Sequence, residues 1–124
     1  MDALEHLLVE NKHTYKRIIG SFCAGSNVTG IITDVNAVGR LMHKHGGLAF
    51  FDYAGSGPYV KIDVNEHVDG VYLSPHKFIG GPATCGIAIM KRKHYHTDIA
   101  PTHGGGGTVD YVSESKVVYS KNPE

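Results

Sequence analysis

In this 124-residue chain, Asp69-Gly70-Val71-Tyr72-Leu73-Ser74-Pro75-His76-Lys77-Phe78-Ile79-Gly80-Gly81-Pro82 places a lysine just past an apolar run. Val71 and Leu73 alternate with Tyr72 in an apolar run too short for a helix, which predicts a strand. Pro75 has no N–H to offer a ladder and ends the strand. Lys77 then stands on a loop beyond a strand end, where α/β proteins gather their ligands. The Gly80-Gly81-Pro82 turn follows at once. A lysine that attacks a carbonyl must first lose a proton it ordinarily keeps up to a pKa of about 10.4. Such a lysine therefore needs cationic neighbours or a dry pocket, and a solvated surface lysine is the plainer reading of the position taken alone.

Downstream, Gly86-Ile87-Ala88-Ile89-Met90 reads as the next strand, and the short turn before it predicts an antiparallel pair. Upstream, Leu48-Ala49-Phe50-Phe51 is an apolar run that stops at Asp52. A carboxylate there is costly unless it caps a loop or meets a cation. Before it, Val35, Val38, Leu41 and Met42 share one helical stripe, with Thr33 or Asp34 as cap and Gly46 or Gly47 closing the end. His43, Lys44 and His45 fall in the last turn, where positive charge suits the helix dipole. Arg17 to Ala24 reads as a strand buried on both faces at its centre, running into the polar loop Gly25 to Gly30. Strand, loop, helix and strand together have the length of one βαβ unit. Asp2 to Glu10 carries Ala3, Leu4, Leu7 and Leu8 at helical spacing, with Asp2 available as cap. Val60 to Asn65 shows too little periodicity to assign. Lys91 to Gly107 has the composition of a loop, whose glycines suit either close backbone approach to a ligand or partner chain, or a plain connector. Thr108 to Tyr119 alternates weakly, as a strand or a loop.

Twelve basic residues balance twelve acidic ones, which gives no attraction to nucleic acid or another polyanion. The one short basic run, Lys91-Arg92-Lys93-His94, does not change that. No apolar run approaches the roughly 20 residues that span a bilayer, and the N-terminus is acidic and amphipathic, unlike an export signal. A cytoplasmic protein is expected. Cys23 and Cys85 are too few and too far apart for a disulfide framework and read as buried free thiols. The spacings His43-x-His45 and His94-x-His96, among nine histidines, suit an imidazole metal site. No Cys-x-x-Cys or His-Glu-x-x-His accompanies them, and two histidines one residue apart on a helix point to different sides. No metal ligand is assigned.

Ser74-Pro75-His76-Lys77 resembles the Ser-x-His-Lys of class V aminotransferases and cysteine desulfurases, fold-type I enzymes whose lysine holds pyridoxal 5′-phosphate (PLP) as a Schiff base. Three further stretches resemble landmarks of that family, in the family's order: Ser26-Asn27-Val28-Thr29-Gly30, Phe51-Asp52-Tyr53-Ala54, and His103 through Thr108 followed by Val109-Asp110-Tyr111-Val112-Ser113. The resemblance implies an α/β chain, residues 1–124 forming the central part of a PLP-dependent transferase large domain. Its sheet would be mostly parallel, with flanking helices and an antiparallel strand after the lysine loop. It also implies roles. Lys77 would bond the cofactor and shuttle the α-proton of an amino-acid substrate. Asp52 would pair with the pyridine nitrogen, keeping the ring an electron sink. Asn27 would donate to the ring hydroxyl, Ser74 and His76 would contact the phosphate, and Thr108 would reach the phosphate of a neighbouring subunit in a homodimer.

The chain also departs from the family pattern. Desulfurases place a glutamine three residues after the aspartate, where Gly55 stands here. Their nucleophilic cysteine lies far downstream of the lysine, and neither Cys23 nor Cys85 matches it. The family's Gly-rich phosphate loop, its ring-stacking residue and its arginine for the substrate carboxylate belong to segments this chain does not contain. The isolated chain is therefore expected to be inactive, and its unpaired sheet edges are expected to associate with another copy or a partner. The readings that compete with a PLP enzyme are a non-catalytic interaction fragment and a His-rich metal-binding module.

Overall fold

The computed structural model describes residues 1–64, 66–96, 98–99, 102 and 107–121. These fall into two compact units, Met1–Lys91 and Arg92–Glu124. The first contains α1 (Asp2–Asn11), β1 (Ile19–Cys23), α2 (Val35–Lys44), β2 (Leu48–Asp52), β3 (Gly70–Leu73), a single 3-10 turn (Pro75–Lys77) and β4 (Ile87–Met90). The second contains a 3-10 turn at Arg92–His94, β5 (Val109–Val112) and β6 (Val117–Tyr119).

In the first unit the four strands stand in the order β1-β2-β3-β4. β1, β2 and β3 run parallel, and β4 returns antiparallel beside β3, with Val71 opposite Ile89. The expected mostly parallel α/β sheet with an antiparallel strand after the lysine turn is thus what the chain forms. One face carries the core. Ala49, Phe51 and Val71 are completely buried there, beneath the stripe of α2 made by Val38, Leu41 and Met42. Burying a side chain such as Phe51 or Val71 contributes about 1.5–3 kcal/mol. The Phe22 ring meets Phe51 at 5.6 Å between centroids and extends this packing to the edge strand.

Asp34 caps α2, its Oδ1 accepting the N–H of Ala37 at 2.9 Å, and Gly46 takes the left-handed φ of +74° that closes the helix. His43 and Lys44 lie in its last turn, as its pattern predicts, and His45 follows as its C-cap. In α1 the residue at the N-cap is Met1, not Asp2, and no side chain caps the helix. Of its apolar stripe only Leu8 is buried and Leu4 is packed against the core, while Leu7 faces out.

The opposite face of the sheet corrects two expectations. β1 is not buried on both faces: Ile19, Ser21 and Cys23 are exposed, because β1 is an edge strand and only its Gly20 and Phe22 side meets the core. Both cysteines are free, but neither is buried. Cys23 belongs to that uncovered face, and Cys85 lies in the exposed turn before β4. On the same face Phe50 is buried mainly by its neighbours. It stacks on Tyr72 at 6.3 Å, and Gly70 leaves room for its ring, since a Cβ there would stand 2.7 Å from Phe50 Cδ1. Of the unassigned segment Val60 to Asn65, residues 60–64 form neither helix nor strand, and Asn65 lies outside the described residues.

In the second unit β5 and β6 form an antiparallel hairpin, Val109 opposite Tyr119. Its turn is closed by Ser113 N–H donating to Lys116 O at 2.8 Å and Lys116 N–H donating to Ser113 Oγ at 3.1 Å. The weak alternation of 108–119 is therefore that of a strand pair. His103 and Gly104 to Gly106, part of the fourth family-like stretch, and Asn122 to Glu124 of the polar tail lie outside the described residues.

Candidate active site

Cys23, Asp52 and Tyr72 stand in one line across the parallel strands, so the loops that follow all three strands leave the same edge of the sheet. The first of these loops is held closed by its own polar residues. Ser26 Oγ accepts the N–H groups of Val28 and Thr29 at 3.3 and 3.1 Å, Ser26 N–H donates to Ile31 O at 2.9 Å, and Thr33 Oγ1 donates to Cys23 O at 2.7 Å. Asn27 is exposed at its tip.

Asp52 is the last residue of β2. Backbone bonds carry the ladder on each side of it, from Ala24 N–H to Asp52 O and from Tyr53 N–H to Tyr72 O, both 2.9 Å. Its Oδ1 accepts Ala54 N–H at 2.7 Å, a local loop bond that fixes the carboxylate without neutralising it. No ion pair joins Asp52 to a cation among the described residues.

After β3, Ser74 leads into the 3-10 turn Pro75–Lys77 with proline at its start. Lys77 N–H donates to Ser74 O at 3.0 Å, Phe78 N–H to Pro75 O at 2.9 Å, and Gly81 N–H to Phe78 O at 3.0 Å. The turn folds so tightly that a Cβ on Gly81 would stand 1.9 Å from Pro75 O, and only a residue without one fits. Ser74 is partly covered, while His76 and Lys77 are exposed. The side chains of Asn27, Ser74, His76 and Lys77 form no hydrogen bond or ion pair among the described residues.

The loop after β2 touches both of its neighbours. A Cβ on Gly55 would lie 3.3 Å from Asn27 Cβ, and one on Gly57 would lie 3.3 Å from the Phe78 ring and 3.5 Å from Leu73 Cδ2. Asn27, Asp52 and the Ser74 to Lys77 turn are therefore carried on three contiguous loops. Thr108 belongs to the second unit, just before β5, where its carbonyl accepts Ser120 N–H at 2.9 Å. Among the described residues, no three histidines, cysteines or carboxylates gather where they could hold a metal. His43 bonds to Asp69 and His45 lies near Glu5, so the two histidines of that spacing serve different partners.

Two features of this region escape a sequence reading. Asp69, at the head of the lysine strand, is completely buried and paired with His43. Nothing in the chain order announces that pairing, although an acid opening an apolar strand is a signal that a partner must exist. Tyr53, next to Asp52, is buried as well, and burial and then the nearby Asp63 charge push its phenol above the ordinary tyrosine range.

Residues 3–124 match the Aminotransferase class-V family model. The chain belongs to the class V aminotransferase family. It is 34% identical over 105 residues to a probable cysteine desulfurase of Halalkalibacterium halodurans, covering 84% of this chain and 25% of that protein. It is 36% identical over 90 residues to the cysteine desulfurase IscS of Shewanella baltica, covering 72% and 22%. Among solved structures, the cysteine desulfurase CsdA of Escherichia coli superposes with a TM-score of 0.72 at 27% identity, over 86% of this chain and 26% of that one. The apo cysteine desulfurase of Thermococcus onnurineus NA1 shares the fold, with a TM-score of 0.75 at 23% identity over 96% and 29%. The chain thus spans about a quarter of the length of the relatives it matches. Among the described residues, no helix is long and apolar enough to cross a membrane.

Proposed function

We propose that this protein takes part in PLP-dependent chemistry on an amino acid, with Lys77 Nζ as the point of covalent attachment, the Schiff-base nitrogen. The observation that carries the reading is the contiguity of the three strand-end loops, which gathers Asn27, Asp52, Ser74, His76 and Lys77 at one sheet edge. The donor set suits the cofactor. Asp52 offers a carboxylate to a protonated ring nitrogen, Asn27 an amide to a ring hydroxyl, Ser74 and His76 a hydroxyl and an imidazole to an anion, and Lys77 an amine. The side chains of four of these five make no bond elsewhere among the described residues. PLP, when bound, supplies the electron sink. The chain's own part is to bind and orient through Asn27, Asp52, Ser74 and His76, and to move a proton at Lys77 Nζ.

Thr108 is assigned to the phosphate of a second subunit, which makes a homodimer the working assembly and residues 1–124 the central part of a PLP-dependent transferase large domain. A cytoplasmic setting is part of the same proposal. The names of the relatives favour a cysteine desulfurase over a transaminase as the second reading. That reading needs a nucleophilic thiol, a role that nothing assigns to Cys23, whose Sγ donates to Gly25 O at 3.0 Å, or to Cys85.

Attachment and turnover are separate claims, and attachment is tested first. The purified chain is mixed with PLP, reduced with borohydride and mapped by peptide mass spectrometry beside Lys77→Ala. A pyridoxyl group on Lys77 that vanishes in the variant is the expected result. Label spread over many lysines, or none, would sink the claim that this chain attaches the cofactor by itself. Once attachment is established, sulfide released from cysteine would favour the desulfurase reading and amino transfer to a keto acid the transaminase reading, while neither would agree with a chain that attaches the cofactor without turnover.

A further inference from the structure

Asp52 and Tyr53 are consecutive, so their side chains leave opposite faces of the sheet. On the Tyr53 side a cleft of about 210 Å³ opens between the start of α2 and the segment 60–63. Two carboxylates, Asp34 and Asp63, and one ammonium, Lys61, stand in its walls, so acid exceeds base there. Lys61 Nζ lies 3.8 Å from Asp63 Oδ2, at the loose end of ion-pair contact, and both side chains are more than half exposed, which leaves that pair readily exchanged.

The helix start does not favour an anion. Val35 N–H already donates to Thr33 O at 2.9 Å, Ala37 N–H to Asp34 Oδ1 at 2.9 Å, and Val38 N–H to Asp34 O at 3.0 Å. The independent sign of a ligand is Tyr53. It is 4% exposed, lines the cleft, and its hydroxyl makes no hydrogen bond among the described residues. The ring is buried while the hydroxyl itself keeps contact with solvent, and the open side of the group is the cleft. Burial and the Asp63 charge keep the phenol protonated, so its oxygen can accept a bond while its proton turns toward a carboxylate.

We propose that this cleft is a binding site for a small ammonium ion on a short apolar chain. Asp63 and Asp34 face the charge, the Tyr53 oxygen accepts one N–H, and Ile32 and Val60 flank the chain. Free amines and amino acids share this chemistry, and the experiment separates them. The site is distinct from the one that holds Lys77, and its test does not depend on the cofactor.

Amide chemical shifts of the full chain are followed while n-propylammonium, L-norvaline or propionate is added. Saturable shifts at residues 32–36 and 60–63 with n-propylammonium, in the millimolar range of affinity, are expected. Asp63→Asn is expected to weaken binding by about tenfold, the worth of one charge-assisted bond. Tyr53→Phe, which keeps the buried ring, is expected to weaken it by about threefold. Saturation by norvaline as well would assign the site to amino acids, and saturation by the amine alone would assign it to free amines. Equal binding of propionate, shifts that rise linearly without saturating, or unchanged affinity in Asp63→Asn would overturn the proposal.

Discussion

Nε2 of His43 lies 2.6 Å from Oδ2 of Asp69, tying the last turn of α2 to the head of the strand that leads to Lys77. The same carboxylate oxygen accepts Ala49 N–H at 2.9 Å, so one buried acid joins α2, β2 and β3. Asp69 has no solvent exposure, and a carboxylate stripped of water is tolerated only when hydrogen bonds replace its hydration.

Removing the imidazole should therefore cost more than a surface pair would. His43→Ala is expected to lower the stability of the first unit by about 2 kcal/mol or more, read from urea unfolding. Breaking a dry pair costs about 3–5 kcal/mol, but the His43 side chain is 27% exposed, and water can take part of its place. A loss below about 0.5 kcal/mol, the size of a surface effect, would show that the carboxylate does not rely on this partner.

Gly39, on the same helix, faces the chain just ahead of Asp69. A Cβ there would stand 2.1 Å from His67 O, a backbone atom that cannot swing aside as a side chain tip can. Gly39→Ala raises intrinsic helix propensity by about 1 kcal/mol, yet overpacking of this kind costs about 1–3 kcal/mol. A net fall in the thermal midpoint is expected. A rise would mean that α2 stands off the sheet further than this packing allows.

The two helices are joined through Glu5. Lys44 Nζ lies 2.6 Å and His45 Nε2 3.4 Å from its Oε1, and the hydrogen bond from Lys44, then that from His45, holds the Glu5 carboxyl below the ordinary glutamate range. A carboxyl depressed in the folded state contributes stability above the range in which the unfolded residue titrates. That contribution fades as pH falls through the depressed value. Glu5→Gln should therefore lower the thermal midpoint near neutrality, with the gap from the parent closing in strong acid. The Lys44 contact is exposed, so the gap should also shrink in salt. A gap of equal size at both pH values would contradict the pairing.

Periodicity sufficed for the elements of the first unit, whereas the alternation over 108–119 was too weak to choose strand over loop. Alternation around Tyr72, the stripe of α2 under Asp34, and the short turn before β4 each reflect local chemistry that a sequence carries openly. Which faces are covered was not legible. Ile19 to Cys23 is apolar whether or not a second layer lies over it, and so Cys23 read as buried although it is exposed. The pairing of His43 with Asp69, 26 residues apart, depends on how α2 settles on the sheet. In the candidate site, strand order alone brings the loops of Asn27, Asp52 and Lys77 to one edge. Their mutual contact rests on Gly55 and Gly57, whose approach to the neighbouring loops chain order does not reveal.

The close turn after Lys77 offers a test that separates the site from the fold. Gly81 approaches Pro75 O so nearly that a methyl group would meet it at 1.9 Å, and Gly80 holds a φ of +78° that suits glycine. Gly81→Ala must open the turn that presents Ser74, His76 and Lys77. Residues 76–80 are exposed and none of the turn belongs to the buried core cluster, although Gly81 itself is covered, so the stability of the first unit should fall by less than the penalty of about 1–3 kcal/mol that overpacking carries in the core. Pyridoxyl labelling of Lys77 should fall severalfold relative to the parent chain. Undiminished labelling would mean that the lysine reacts as a free surface amine, without help from the geometry of its turn.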